Sequence, residues 1–219
     1  MRIAVLGTGV VGRTLAAALA GLGHDVTVGT RDPTVTLGRG GADGFGTWAA
    51  AHPRVAVSTL GDCASDAELV VNALSGDASV AGVGAATIAD DTVLLDVSNP
   101  LDGSHGLPPS LFVANTDSLA EQLQRAYPGL RVVKGLNTMT ARLMVAPHEL
   151  AGGDFSTFVC GDDAEAKAVV TGLLTRLGHR DVIDLGGLEA ARGAEAFMLP
   201  WLRLWGVVGS PLFTFKVVR

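Results

Sequence analysis

Gly7-Thr8-Gly9-Val10-Val11-Gly12 stands between an aliphatic run, Arg2-Ile3-Ala4-Val5-Leu6, and a helical pattern rich in alanine and leucine. Glycines at that spacing can cradle a pyrophosphate. The first allows a tight turn, the second lets the backbone approach the phosphates, and the third lets the helix pack closely on the strand. The start of the helix adds free N–H groups facing the negative charge. With 29 glycines in the chain the spacing alone carries little weight, and the strand before it and helix after it make it specific. The bland alternative is a glycine-rich turn with no ligand. The expectation is a dinucleotide held at Gly7, Thr8, Gly9, Val10, Val11 and Gly12.

The tip of the next strand selects the dinucleotide. Asp25 to Thr30 alternates as a strand and ends on Gly29-Thr30-Arg31, with no acid at the tip. A carboxylate there would accept hydrogen bonds from the ribose of NAD and repel a 2′-phosphate. A guanidinium binds that phosphate through charge-assisted, often bidentate contacts. Asp32 comes one residue too late and reads as a turn residue before Pro33. Arg39 either adds a second charge at the adenine end or is a solvated loop arginine. Thr30 and Arg31 therefore point to NADP.

Chemistry at the other end of the cofactor would come from the carboxyl ends of further strands, where open parallel sheets bind ligands. Those ends are Asn72-Ala73-Leu74-Ser75, Ser98-Asn99-Pro100 and Gly135-Leu136-Asn137-Thr138-Met139. Asn72, Ala73, Leu74, Ser98, Asn99, Asn137 and Met139 can hold a carboxamide and seat a nicotinamide ring, but supply no nucleophile or obvious proton donor. No catalytic residue is assigned. Tyr127 has Arg131 four residues on, so the Tyr-x-x-x-Lys pair of short-chain carbonyl reductases is absent. Lys134 reads as a strand lysine whose head reaches solvent, with a proton-donating role as the alternative.

The elements that must position these groups follow from the apolar pattern. Val55 to Thr59, Leu69 to Leu74, Thr92 to Ser98 and Arg131 to Leu136 read as strands, with helices between them at Asp77 to Ala89 and Ser118 to Tyr127. The second helix opens on a capping box, Ser118-Leu119-Ala120-Glu121. Thr157 to Cys160, Ala164 to Leu177 and Asp181 to Leu185 form another strand–helix–strand unit. Alternation of this kind implies an α/β fold with a Rossmann-type, doubly wound and mainly parallel sheet. Residues 1–219 read as one domain with a small, apolar helical extension from about residue 188.

Composition bounds the function classes. Hydrophobic residues make up 48% and charged residues 17%, so a packed core is expected. A net charge of −6 argues against a nucleic-acid binder. Cys63 and Cys160 stand alone, and His24, His52, His105, His148 and His179 are scattered, so no metal site is visible. Met1 leads straight into the first strand with no signal peptide, and Pro200, Arg203 and Pro211 interrupt the C-terminal apolar run. The chain reads as cytoplasmic with no membrane partner.

Taken in order, Gly-Thr-Gly-Val-Val-Gly, Thr30-Arg31, Val-Ser-Asn-Pro-Leu, Lys-Gly-Leu-Asn-Thr-Met, Val-Cys-Gly-Asp-Asp, Ile-Asp-Leu-Gly-Gly-Leu and Ala191-Arg192 resemble the NADPH:F420 oxidoreductase family over nearly the whole chain. That resemblance implies hydride exchange between NADPH and the deazaflavin coenzyme F420. It also implies 2′-phosphate contacts from Thr8, Thr30 and Arg31, a cofactor cleft lined by residues 72–75, and Asn137 with its neighbours on the deazaflavin side. Asn137-Thr138-Met139-Thr140 departs from the histidine and proline of deazaflavin-using members. The alternatives are an NADPH reductase of a small imine or carbonyl, and a non-catalytic NADP-binding sensor. The apolar residues from Phe197 to Phe215, with Trp201 and Trp205, imply either a homodimer interface or a segment folded over its own sheet.

Overall fold

A computed structural model describes residues 1–219. In chain order the elements are β1 (Arg2–Leu6), α1 (Val10–Gly21), β2 (Asp25–Thr30), α2 (Pro33–Leu37), α3 (Phe45–Ala51), β3 (Val55–Thr59), β4 (Leu69–Asn72), α4 (Gly76–Gly84) and β5 (Val93–Asp96). There follow β6 (Leu101–Asp102), β7 (Ser110–Leu111), α5 (Leu119–Ala126), β8 (Arg131–Gly135), α6 (Ala141–Val145), β9 (Ser156–Cys160), α7 (Ala164–Leu177), β10 (Asp181–Asp184), α8 (Ala191–Ala196) and α9 (Met198–Val208).

Eight strands form one sheet in the order β10-β9-β8-β5-β4-β1-β2-β3, and β6 and β7 form a separate antiparallel pair. Every neighbouring pair in the large sheet is parallel except β8 with β9. The fold is thus α/β and Rossmann-like, with the C-terminal helices expected from the sequence. The order reverses at β1 and β4. Such a switch point leaves a crevice at the carboxyl ends of the strands, where the glycine turn lies.

Both faces of the sheet are covered, as a parallel sheet requires. Ile3 and Val5 join one apolar cluster with α1, α6 and α7, while Ala4 and Leu6 join the other with α5. Leu69 and Val71 against Val70, and Val93 and Leu95 against Leu94, divide in the same way. Strand side chains alternate between faces, so these unbroken apolar runs serve two cores at once. Helix α7 buries Ala166, Val170, Leu173, Leu174 and Leu177 at helical spacing, and Asp163 caps its start by accepting from the Ala166 N–H at 2.6 Å.

Three expectations are revised. Asp32, expected as a turn residue before Pro33, caps the short helix α2, because it accepts from the Val35 N–H at 2.9 Å and Pro33 starts the helix with the right φ. The helix expected to reach Ala89 stops at Gly84. The C-terminal stretch breaks into a 3₁₀ turn, α8 and α9, with Pro200 accommodated in the first turn of α9. Beyond α9 the chain returns to the start of β9, where the Ser156 N–H donates to the Phe215 carbonyl at 3.0 Å. Phe197 stacks on Phe158 and Trp201 on Phe213, so the segment does fold over its own sheet. Leu204, Trp205, Val207 and Val208 in the C-terminal half of α9 stay exposed.

Candidate functional site

The glycine turn is built for close backbone approach. Gly7 has φ +119°, and a Cβ there would lie 2.6 Å from the Ala73 carbonyl oxygen. A Cβ at Gly12 would overlap the Gly7 carbonyl, so α1 can pack on β1 only without one. Gly9 differs from both, since nothing lies within 4 Å of its Cβ position. It is the N-cap of α1, with no side chain capping the helix and no acid in the first turn. The N–H groups of Val10, Val11 and Gly12 therefore lack intrahelical partners, next to the open space at Gly9. This cradle fits a pyrophosphate, and NADP would be held there by those backbone groups.

The cleft extends from Gly7 and Thr8 to the tip of β2, with a volume of about 720 Å³. Arg31 and Arg39 lie along it, both exposed. No ion pair within the chain uses either guanidinium. The nearby Asp32 carboxylate is engaged by the Val35 N–H. Thr30 lines the cleft as well, but it is largely buried and its hydroxyl pairs with that of Thr36 at 2.8 Å. It braces α2 against β2, leaving Arg31, Arg39 and Asp32 as the charged groups of that end, two cations to one carboxylate. The opposite wall is the small-residue face of α4, Ala78, Ala81, Gly82 and Ala85, at helical spacing. That spacing is a signal the sequence reading passed over.

Deeper in, the strand ends hold a polar cluster. Leu74 lines the cleft and Ala73 abuts Gly7, but Asn72 is fully buried. Its Nδ2 donates to Asp96 Oδ1 at 2.9 Å and to Ser79 Oγ at 3.1 Å, and its Oδ1 accepts from the Leu74 N–H at 3.3 Å. Ser98 is buried too, and donates from its hydroxyl to Asp96 Oδ1 at 2.6 Å.

Lys134 overturns its expectation. Its side chain has no exposure, and Nζ lies 2.8 Å from Asp96 Oδ2 and 2.8 Å from Glu195 Oε1. Burial alone would lower its pKa, but the Asp96 and Glu195 carboxylates outweigh that effect and hold the ammonium above the usual lysine range. Strand β8 is covered on both faces, so a lysine there cannot snorkel and must be paired. Asp96 and Glu195 were missed. The available signal was a single acid in the apolar run of β5, opposite which β8 places Lys134 in register.

Asn99 and Asn137 lock the ends of β5 and β8 together. Asn99 Nδ2 donates to the Asn137 carbonyl and Asn137 Nδ2 donates to Asn99 Oδ1, each at 2.9 Å. Asn137 also donates to the Ala194 carbonyl at 2.8 Å. Leu136 before it takes the left-handed conformation, φ +61°, which is costly without glycine and common where a site is held under constraint. Asn137 and Met139 are buried, while Asn99 is partly exposed. The structure thus brings Gly7, Thr8, Thr30, Arg31 and Leu74 to one cleft, with the open start of α1 at Gly9 following on from Thr8, and buries Asn72, Ser98 and Asn137 at the strand ends.

Comparison with known proteins agrees with this geometry. Residues 2–100, the part holding the glycine turn and Arg31, match the family described as NADP oxidoreductase, coenzyme F420-dependent. A crystal structure of a candidate F420-dependent NADP-reductase from Arthrobacter sp. FB24 superposes with a TM-score of 0.97 at 56% identity, covering all of both chains. The F420-dependent NADP reductase of Methanothermobacter marburgensis is 29% identical over 202 residues, 89% of this chain and 88% of that protein. The metalloreductase STEAP3 of Rattus norvegicus is 30% identical over 208 residues; the match takes in 94% of this chain and only 38% of that protein. No helix is long and apolar enough to cross a membrane. The chain belongs to the coenzyme F420-dependent NADP oxidoreductase family and is an NADP-dependent oxidoreductase.

Proposed function

We propose that the enzyme passes hydride directly between NADPH, bound along the cleft from Arg31 to Leu74, and a deazaflavin of the coenzyme F420 type. The observation that carries the NADP half is the pair of unpaired guanidiniums, Arg31 and Arg39, beside a strand tip whose nearest carboxylate is already engaged. Support for the deazaflavin comes from the two relatives described as F420-dependent NADP reductases. Bound NADP would supply the hydride-carrying nicotinamide. The protein's part is to hold the pyrophosphate at Gly9 to Gly12, read the 2′-phosphate with Arg31, and fix the ring end with the backbone of Ala73 and Leu74. Transfer between two oriented rings draws mainly on proximity and needs no proton donor at the reacting atoms. The burial of Lys134 fits that chemistry and weighs against proton-coupled reduction of an imine or carbonyl through this residue.

The same reading treats residues 1–219 as one functional unit, because Ala194 and Glu195 of the extension bond into the ends of the sheet. It assigns the exposed apolar C-terminal half of α9 to a homodimer contact, and the two free, buried cysteines suit a reducing cytoplasm.

The test mixes pure protein with NADPH deuterated at the transferred position and oxidised coenzyme F420. Matched loss of both absorbances, with the label delivered to the deazaflavin, is the expected result. Oxidation of NADPH by a ferric or flavin acceptor with the deazaflavin untouched would replace the acceptor. Loss of the label to water would replace the mechanism.

A further inference from the structure

The buried charges around Lys134 have no part in the chemistry above, yet they tie together the walls of its site. Nζ donates to Asp96, to Glu195 and, at 2.6 Å, to the Ser98 carbonyl. One ammonium faces two carboxylates, and fixed donors answer the remaining lone pairs. Asp96 Oδ1 accepts from Asn72 at 2.9 Å and from the Ser98 N–H at 3.1 Å. Glu195 accepts the N–H groups of Leu119 and Ala120 at 2.9 and 3.1 Å. Those are the first residues of α5, and Ser118 Oγ accepts the third N–H, from Glu121, at 3.1 Å. Glu195 therefore caps a helix from a distance of 76 residues in sequence, at the end where the dipole is positive.

Desolvating such a cluster costs about what its attractions return, so stability is a poor reason for it, and a unique arrangement is the better one. That arrangement lies beside the asparagines: Asn99 follows Ser98, and Asn137 donates to Ala194, the neighbour of Glu195. We propose that Lys134 is a positioning residue for hydride transfer, clamping the Ser98–Asn99 strand end and helix α8 in one register so that the wall at Asn99 and Asn137 meets the acceptor in a single geometry. This rests on the reading that the acceptor binds at that wall.

Glu195→Gln tests it in the full-length protein. The substitution keeps the side chain's shape, leaves the Lys134–Asp96 pair balanced and turns an amide N–H₂ against donors of α5. An uncharged variant, K134M/D96N/E195Q, repeats the test where a residual charge would impair folding. With NADPH bound and no acceptor present, hydrogen exchange should quicken at the side-chain amides of Asn99 and Asn137, which donate within the wall, and at the backbone amides of Leu119 and Ala120. NADPH affinity should stay within about twofold, and kcat/KM for oxidised F420 at saturating NADPH should fall about tenfold or more, since small misplacements of reacting groups cost rate steeply. Unchanged exchange at Asn99 and Asn137, or unchanged acceptor kinetics in a folded variant, overturns the proposal. So does a loss of NADPH affinity in step with kcat/KM, which marks a general core defect. If the wild-type protein gives no turnover with F420, the acceptor assignment fails, and the exchange measurement still decides whether Lys134 clamps this wall.

Discussion

Gly9→Val separates folding from nucleotide binding within a single turn. Gly9 has φ −72° and ψ −178°, a conformation valine adopts readily, and its Cβ direction is open to 4 Å. Stiffening the unfolded chain favours the variant by ~0.4–1 kcal/mol. Replacing an N-cap glycine with an apolar residue costs ~1 kcal/mol or less. The two nearly cancel, so the melting temperature should move by no more than ~2–4 °C for a chain of this size. The branched side chain, however, fills the space above the free N–H groups of α1. Losing two charge-assisted hydrogen bonds to the pyrophosphate, each worth ~1.5–3 kcal/mol, should weaken NADPH binding ~10²- to 10⁴-fold. Gly12→Ala is the contrasting control. Its Cβ would overlap the Gly7 carbonyl oxygen and lie 3.0 Å from the carbonyl carbon, so α1 must move off β1. Overpacking of that kind costs ~1–3 kcal/mol, and this variant should melt several degrees lower. Thermal unfolding by circular dichroism and titration of NADPH fluorescence read the two quantities. A Gly9→Val protein that binds NADPH like the wild type would place the dinucleotide elsewhere and refute the site. A Gly12→Ala protein of wild-type stability would refute the close contact between helix and strand.

Arg31→Ala should weaken NADPH at least tenfold and leave NADH nearly unchanged, as ~1.5–3 kcal/mol is at stake per charged contact; equal losses for both in binding titrations would mean that Arg31 only supports the loop. Lys134→Met strands two buried carboxylates and should cost ~3–5 kcal/mol in denaturant unfolding, while K134M/D96N/E195Q should recover most of it; equal stability of the two would show that the charges do not interact. Because the Lys134 pKa is raised, its contribution is complete below the ordinary lysine value and is lost only as pH rises through the higher folded one. Unfolding curves should therefore show no loss from this group between pH 6 and 9. Burial pushes the Cys63 and Cys160 thiols up to about 11 and about 12, so both should resist iodoacetamide at pH 8 until the protein unfolds, and rapid labelling of the native protein would contradict that burial.

What the sequence by itself determined is everything written in local patterns. Glycine spacing between an aliphatic run and a helix marked the phosphate turn, because only residues without a Cβ allow those contacts. Thr30-Arg31 at a strand tip pointed to NADP by the sign of a single charge. The Ser118–Glu121 box and the bounds of α7 could be read because caps and apolar periods involve residues within one helix. The direction of a side chain at a strand end was beyond that reading, since it depends on which strand lies alongside. Asp96 and Lys134 are 38 positions apart and become register partners only when β5 pairs with β8. From the chain alone Lys134 reads as a solvated head, and Asn72 and Asn137 as groups facing the ligand. Only the tertiary structure turns all three inward, brings Glu195 across to the start of α5, and leaves the C-terminal half of α9 bare. Helix α2 lies between these cases: its cap and proline are local, but with five residues it depends on the Thr30–Thr36 contact to hold its place.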